Sequence, residues 1–245
     1  MERCFVFLFA VLFGACVQAQ TTERLTITRL GDGPIVYSEL DPSIGVNIQG
    51  PSVIRVPEWV DNALGKYYLY FADHKGHYIR LAYADKATGP WQIHVPGTLR
   101  IEDSHFLTAQ PAVSDKQRRE YTAYFAGTGE RFPHDRMIDL MVPHIASPDV
   151  HVDDANQRIV MYYHGLDALA SQVSRVAVSS NGIDFVARPE ILGRTYWRGF
   201  DWQGQRYGLA MPGQFYRSED PLGGFVEGPL LFNPKMRHSA VMVQE

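Results

Sequence analysis

The strongest constraint in this chain is a unit that recurs: four short runs of alternating apolar and polar residues, joined by turns of hairpin length. Its clearest copy has a strand at 51–56, a turn at 61–66 and an aromatic-rich strand at 66–73 (KYYLYFAD). A tight turn at 74–77, a third strand at 78–85 (YIRLAYAD), a Gly-Pro turn and a short outer strand at 91–94 (WQIH) complete it. Strands connected this briefly can only run antiparallel to their neighbours, as a meander.

The order then repeats. Runs at 147–153 (SPDVHVD), 158–165 (RIVMYYHG), 172–180 and 185–192 form a second copy, with Asn181-Gly182 as its turn. Runs at 196–202 (YWRGFDW), 205–211, 214–220 and 225–232 form a third. The second strands of these two copies start 47 residues apart, at 158 and 205, near the period of propeller blades. A fourth copy opens at 237–243 (RHSAVMV). The fold expected is all-β, a β-propeller of four-stranded antiparallel blades of the five-bladed type, with about three and a half blades present. A ring needs closure, so the C-terminal portion, about one and a half to two blades, is expected to lie beyond this chain. A complete sandwich of about a dozen strands is the alternative. Between the first two copies, about 103–143, a helical insertion is expected. Ser114 caps a helix-friendly run there, and a second short helix is expected over 134–141.

The chain has 245 residues, 45% of them hydrophobic, a net charge of −4 and neither a basic surplus nor an acidic tail. Nucleic acid is therefore not an expected partner. Arg3 followed by the apolar run 4–17, with Val17 and Ala19 placed for cleavage before Gln20, reads as a signal peptide over 1–19, leaving 20–245 as the propeller domain. The run is too short to span a bilayer comfortably. The protein is expected to be exported, periplasmic or extracellular, with lipid anchoring through Cys16 as the alternative. Both cysteines, Cys4 and Cys16, fall inside that segment, so no disulfide or thiolate metal site is expected.

In a propeller, ligands bind at the axial mouth, near the inner strands and the turns above them. Asp149 and His151 are two apart on an inner strand and share a face, as an acid/base pair would, or as an inter-blade hydrogen bond would. Asp73 and His74 end the second strand of copy one, and His164 holds a matching place in copy two, which suits either a rim site or a repeated structural bond. Arg237 and His238 open the fourth inner strand, where an arginine could clamp a hydroxyl or carboxylate, or pair with Asp149. Trp197 and Arg198 could supply a stacking platform and a donor, with Trp197 in plain core as the competing reading. Gln214 and Tyr216 could also face a ligand, whereas His77 is expected to be solvated. His144, His151, Asp149 and His164 could gather round zinc, or Asp149 hold calcium, but no cofactor is expected. No P-loop, GxGxxG or GxSxG is present, which removes nucleotide and serine-hydrolase chemistry.

The run YYLYFADHKGHYIRLAYADKATGPW, followed by SPDVHVDDANQRIVMYY, resembles the five-bladed propeller glycosidases of glycoside hydrolase family 43. Tyr67 to Tyr70, Ile79 to Ala84 and Gly89-Pro90-Trp91 carry the likeness. The resemblance implies inverting hydrolysis by two Asp and one Glu. Gly50-Pro51 and Ser147-Pro148 stand where the resemblance places Asp-Pro, and Glu190, Glu219 and Glu227 fall on outer strands or turns. The expectation is therefore glycosidase-like hydrolysis of an oligo- or polysaccharide by a cluster of Asp149, His151, Asp73 and His238. His74, His164, Trp197, Arg198, Gln214 and Arg237 would hold the sugar, on a monomer. A non-catalytic sugar-binding or structural propeller is the alternative.

Overall fold

The computed structural model describes residues 26–29, 33–129, 135–232 and 236–243. The chain divides into two units, Met1–Asp32 and Gly33–Glu245. In the first, residues 26–29 have no regular secondary structure, and the expected signal peptide and Cys16 lie outside the described residues. The second unit holds three four-stranded antiparallel sheets, each in plain sequence order. They are β1 (Ile48–Arg55), β2 (Tyr67–Asp73), β3 (Arg80–Ala84) and β4 (Gln92–His94); β5 (Ile145–Asp153), β6 (Arg158–Ala168), β7 (Ser171–Ser179) and β8 (Val186–Ala187); and β9 (Arg198–Trp202), β10 (Gln205–Ala210), β11 (Gln214–Ser218) and β12 (Val226–Leu230). Three sheets, rather than two packed face to face, make these blades of a propeller and not a sandwich.

Period-two side chains explain why the blades stack. On β6, Ile159, Met161 and Tyr163 enter a core shared with Tyr68, Tyr70 and Ile79 of the first blade. Val160 and Tyr162, on the opposite face, enter a second core with Trp197, Ala210 and Tyr216 of the third. A strand buried on both faces serves two inter-blade cores at once. Buried hydroxyls find carbonyls across these seams: Tyr70 donates to Gly182 O at 2.8 Å and Tyr163 to Ser104 O at 2.9 Å.

Each blade enters its inner strand through a left-handed residue. Gly50 (φ 61°) and Ser147 (φ 51°) each precede a proline at a register shift, and Tyr196 (φ 57°) stands just before β9. Proline cannot donate to the ladder, so a bulge absorbs it. The first two bulges touch: a Cβ on Gly50 would lie 2.6 Å from the Ser147 Cα.

The insertion carries α1 (Asp115–Gly127) and α2 (Met137–Met141). Ser114 caps α1 in a reciprocal capping box with Gln117. The second helix is shorter than expected, and residues 130–134 lie outside the described part. The fourth inner strand expected at 237–243 is not formed: 236–243 carry no ladder, because no described strand pairs with them. Among the described residues no helix is long and apolar enough to cross a membrane.

Candidate functional site

The chemistry-bearing side chains collect where the inner strands begin. The turn after β2 carries His74 and Lys75, and its Gly76 carbonyl accepts from the Ile145 N–H at 3.0 Å, holding the turn against the start of β5. His144 immediately precedes β5, His164 pairs with Ala146 on β6, and Tyr196 and Arg198 stand at the entry to β9. Residues 237 and 238 come from the last described segment.

These rings form a continuous run. His74 and His144 have centroids 6.5 Å apart, His144 and His164 6.0 Å, His164 and Tyr196 4.5 Å, and Tyr196 and His238 4.2 Å. His144, His164 and Tyr196 are buried and make the floor; His74, Lys75 and Arg198 are half-buried, and Arg237 and His238 are exposed at the rim. Tyr196 is held in the left-handed region (φ 57°), which costs a bulky residue about 1–2 kcal/mol.

The floor imidazoles are uncharged near neutral pH. Burial and the Lys75 ammonium bring His144 down to about 4, although the Val142 carbonyl opposes the shift. That carbonyl accepts from His144 Nδ1 at 2.8 Å, so the proton sits on Nδ1 and Nε2 carries the lone pair. Burial, then His144, Lys75 and Arg198, hold His164 well below its ordinary value. His164 Nδ1 is buried with no hydrogen-bond partner among the described residues. His238 is lowered by partial burial and by Arg237 and Arg198. Burial also lowers Lys75, with Asp139 opposing and Arg237 adding to the effect. Asp139 lies 3.6 Å from Lys75 and 3.4 Å from Arg136.

The structure brings His74, His164, Arg198, Arg237 and His238 together at this mouth and places the other expected residues elsewhere. Asp73 turns away from its neighbour His74 and accepts from the Asn47 N–H at 2.8 Å, tying down the preceding loop. Asp149 and His151 do meet, Oδ2 to Nε2 at 2.9 Å, but on the face of β5 towards the third blade. There Asp149 also accepts from the Gly199 N–H at 2.7 Å, and the His151 ring lies on Tyr162. No ion pair joins Arg237 to Asp149. Trp197 is 1% exposed, packed between Tyr216 and Phe225 at 4.8 Å each, so no indole face is left for a sugar. Gln214 is also buried, its amide donating to Gly228 O at 2.6 Å, and Tyr216 packs in the same core as Trp197.

His144, Lys75 and Tyr196 were not singled out from sequence as sugar ligands. All three lie in turns or strand entries where alternation says nothing about direction. Among the described residues no group of three or more His, Cys, Asp or Glu is disposed to hold a metal ion. Two described cavities lie away from the mouth. One, of about 520 Å³, is an open groove between α1 and α2; the other, of about 250 Å³, is at the β3–β4 corner.

No family model matches the chain. It is 32% identical over 194 residues to the uncharacterized protein R118 of Acanthamoeba polyphaga mimivirus, covering 75% of this chain and 47% of that protein. The chain thus spans about half the length of the curated relative it matches. Among solved structures, it is similar to an α-L-arabinofuranosidase from Clostridium thermocellum, at 17% identity and TM-score 0.44, covering 76% of this chain and 52% of that one. A family 117 glycoside hydrolase from Zobellia galactanivorans gives 14% identity and TM-score 0.43, covering 78% and 57%. A β-1,3-galactosidase, BT3683, gives 14% and 0.44, covering 75% and 57%. Likenesses this distant carry no weight for chemistry, which has to come from the residues themselves.

Proposed function

We propose that this chain forms the sugar-binding mouth of an exported, carbohydrate-active propeller. The observation that carries this reading is the run of His74, His144, His164, Tyr196 and His238, drawn from separate repeats to one end of the blades. The uncharged imidazoles of His144 and His164, the other ring nitrogens of the run and a phenol offer donors, acceptors and apolar ring faces side by side, which suits a polyhydroxyl ligand. The blade motifs support a glycosidase-like ancestry, and the apolar run after Arg3 supports export.

Binding is favoured over two-carboxylate hydrolysis for a steric reason. Gly50 and Ser147, where the resemblance puts carboxylates, sit in bulges that touch, and a Cβ at Gly50 already meets the Ser147 backbone. Among the described residues the mouth holds one carboxylate, Asp139, engaged by Lys75 and Arg136. Calorimetric titration with a panel of oligosaccharides tests the reading. Binding by the wild type that falls at least tenfold in His238→Ala is expected, and no binding across the panel would sink it. Hydrolysis is the second reading, favoured by the 2.9 Å Asp149–His151 contact. It predicts turnover of aryl glycosides that disappears in both Asp149→Asn and His151→Gln.

A further inference from the structure

The mouth carries more positive charge than it neutralises. Seven described arginines lie within 4 Å of a carboxylate, among them Arg158 on Asp153 at 2.7 Å and Arg206 on Asp201 at 2.9 Å. Arg198 and Arg237 do not, and neither do Arg55, Arg80, Arg118, Arg119 and Arg217; what sets the first two apart is their place at the mouth. Arg198 has one guanidinium nitrogen on the Trp197 carbonyl at 2.8 Å and no described acidic partner. Arg237 is exposed beside His238, whose ring lies 4.2 Å from Tyr196, two residues before Arg198. Lys75 adds a third cation, and the carboxylate it touches, Asp139, is shared with Arg136.

We infer that this mouth selects an anionic sugar, one bearing a carboxylate or a sulfate ester, with Arg198 and Arg237 receiving the charged group and Lys75 adding to the field. The inference rests on the sugar-binding reading above. Two guanidinium groups without a carboxylate partner, Arg198 half-buried and Arg237 at the rim, supply the forked donors that a planar or tetrahedral oxyanion needs, and Arg198 stands close to the buried His164, whose Nδ1 has no hydrogen-bond partner among the described residues. Burial is the first cause that lowers Lys75, His164 and His238, and neighbouring cations add to it in each case; an arriving anion would relieve that second, like-charge part. A neutral sugar would leave both guanidinium groups unanswered.

The test titrates the full chain with methyl galacturonoside, galactose sulfate, neutral methyl galactoside and inorganic sulfate. Acidic sugars are expected to bind at least tenfold tighter than the neutral one, with the preference shrinking as salt rises. Arg198→Gln and Arg237→Gln should each remove roughly tenfold of the preference, while Arg188→Gln, at the outer pair with Glu190, leaves it intact. By NMR, the His238 titration midpoint should move up when an acidic sugar is bound. The carboxylate and sulfate arms show which anion fits better. Equal affinity for acidic and neutral sugars overturns the inference and leaves sugar binding standing. Binding of inorganic sulfate but of no sugar supports the anion site and overturns the sugar reading. Binding of none of the four overturns both.

Discussion

Replacing Asp149 with Ala removes a junction between two blades. Its Oδ2 accepts from the Gly199 N–H at 2.7 Å and contacts His151 Nε2 at 2.9 Å, in a side chain 13% exposed. A hydrogen bond to a charged acceptor contributes about 1.5–3 kcal/mol, and an orphaned buried N–H costs about 1–3 kcal/mol. Gly199 is buried, so the alanine variant should lose about 3 kcal/mol of stability. Asn keeps one carbonyl oxygen for the Gly199 N–H and should lose about half as much. In a chain of this size about 3 kcal/mol lowers Tm by roughly 6–12 °C. Urea unfolding followed by tryptophan fluorescence reads the change, because Trp197 is two residues from Gly199 and packs in the same seam. Both variants within about 0.5 kcal/mol of wild type would refute the structural role and release Asp149 for chemistry.

Three further outcomes follow from the same geometry. Because His144 is held at about 4 in the fold and titrates near 6.5 when unfolded, the unfolded chain binds the extra proton between those values. Its contribution is therefore present above pH 6.5 and lost as pH falls towards 4, about 3 kcal/mol in all; His144→Gln should flatten that part of a stability–pH profile, and an unchanged slope would count against it. Gly50→Ala forces a Cβ into the left-handed region and against the Ser147 Cα, and should cost about 2–4 kcal/mol in chemical denaturation, with a neutral result excluding the touching bulges. Ser114→Ala breaks the capping box, but α1 buries no residue, so exchange of the α1 amides should speed up while Tm stays within about 1 °C; a large fall in Tm would mean the helix bears on the core.

The blades were legible in the sequence because alternation and turn chemistry are local. Lys66 to Asp73 reads as a strand from its own residues, and β2 occupies nearly that span. Where the prolines interrupt the ladder the reading loses ground: the strand expected from residue 51 is β1, which starts at Ile48, ahead of the Gly50-Pro51 bulge. The segment 237–243 has strand-forming residues, yet a strand exists only beside a partner, and none is described for it.

The site was half legible, for a reason that alternation makes plain. Spacing by two puts Asp149 and His151 on one face, as found, but cannot say whether that face meets a blade or a ligand. Adjacent Asp73 and His74 had to diverge, and only the loop at Asn47 decides which one is used for structure. His144 and Lys75 sit in turns, where no period exists to aim a side chain. Trp197 was placed correctly by the bland expectation that large aromatics fill cores.

The central claim is that side chains from separate repeats share one sugar-binding mouth. Mapping histidine ring NMR shifts during titration with an acidic oligosaccharide tests it most directly. His74, His164 and His238 are expected to move together along one binding curve, while His77 and His94, outside the run of rings, stay still. Shifts confined to His77 and His94, or a His238 that does not respond while a sugar binds, would contradict it.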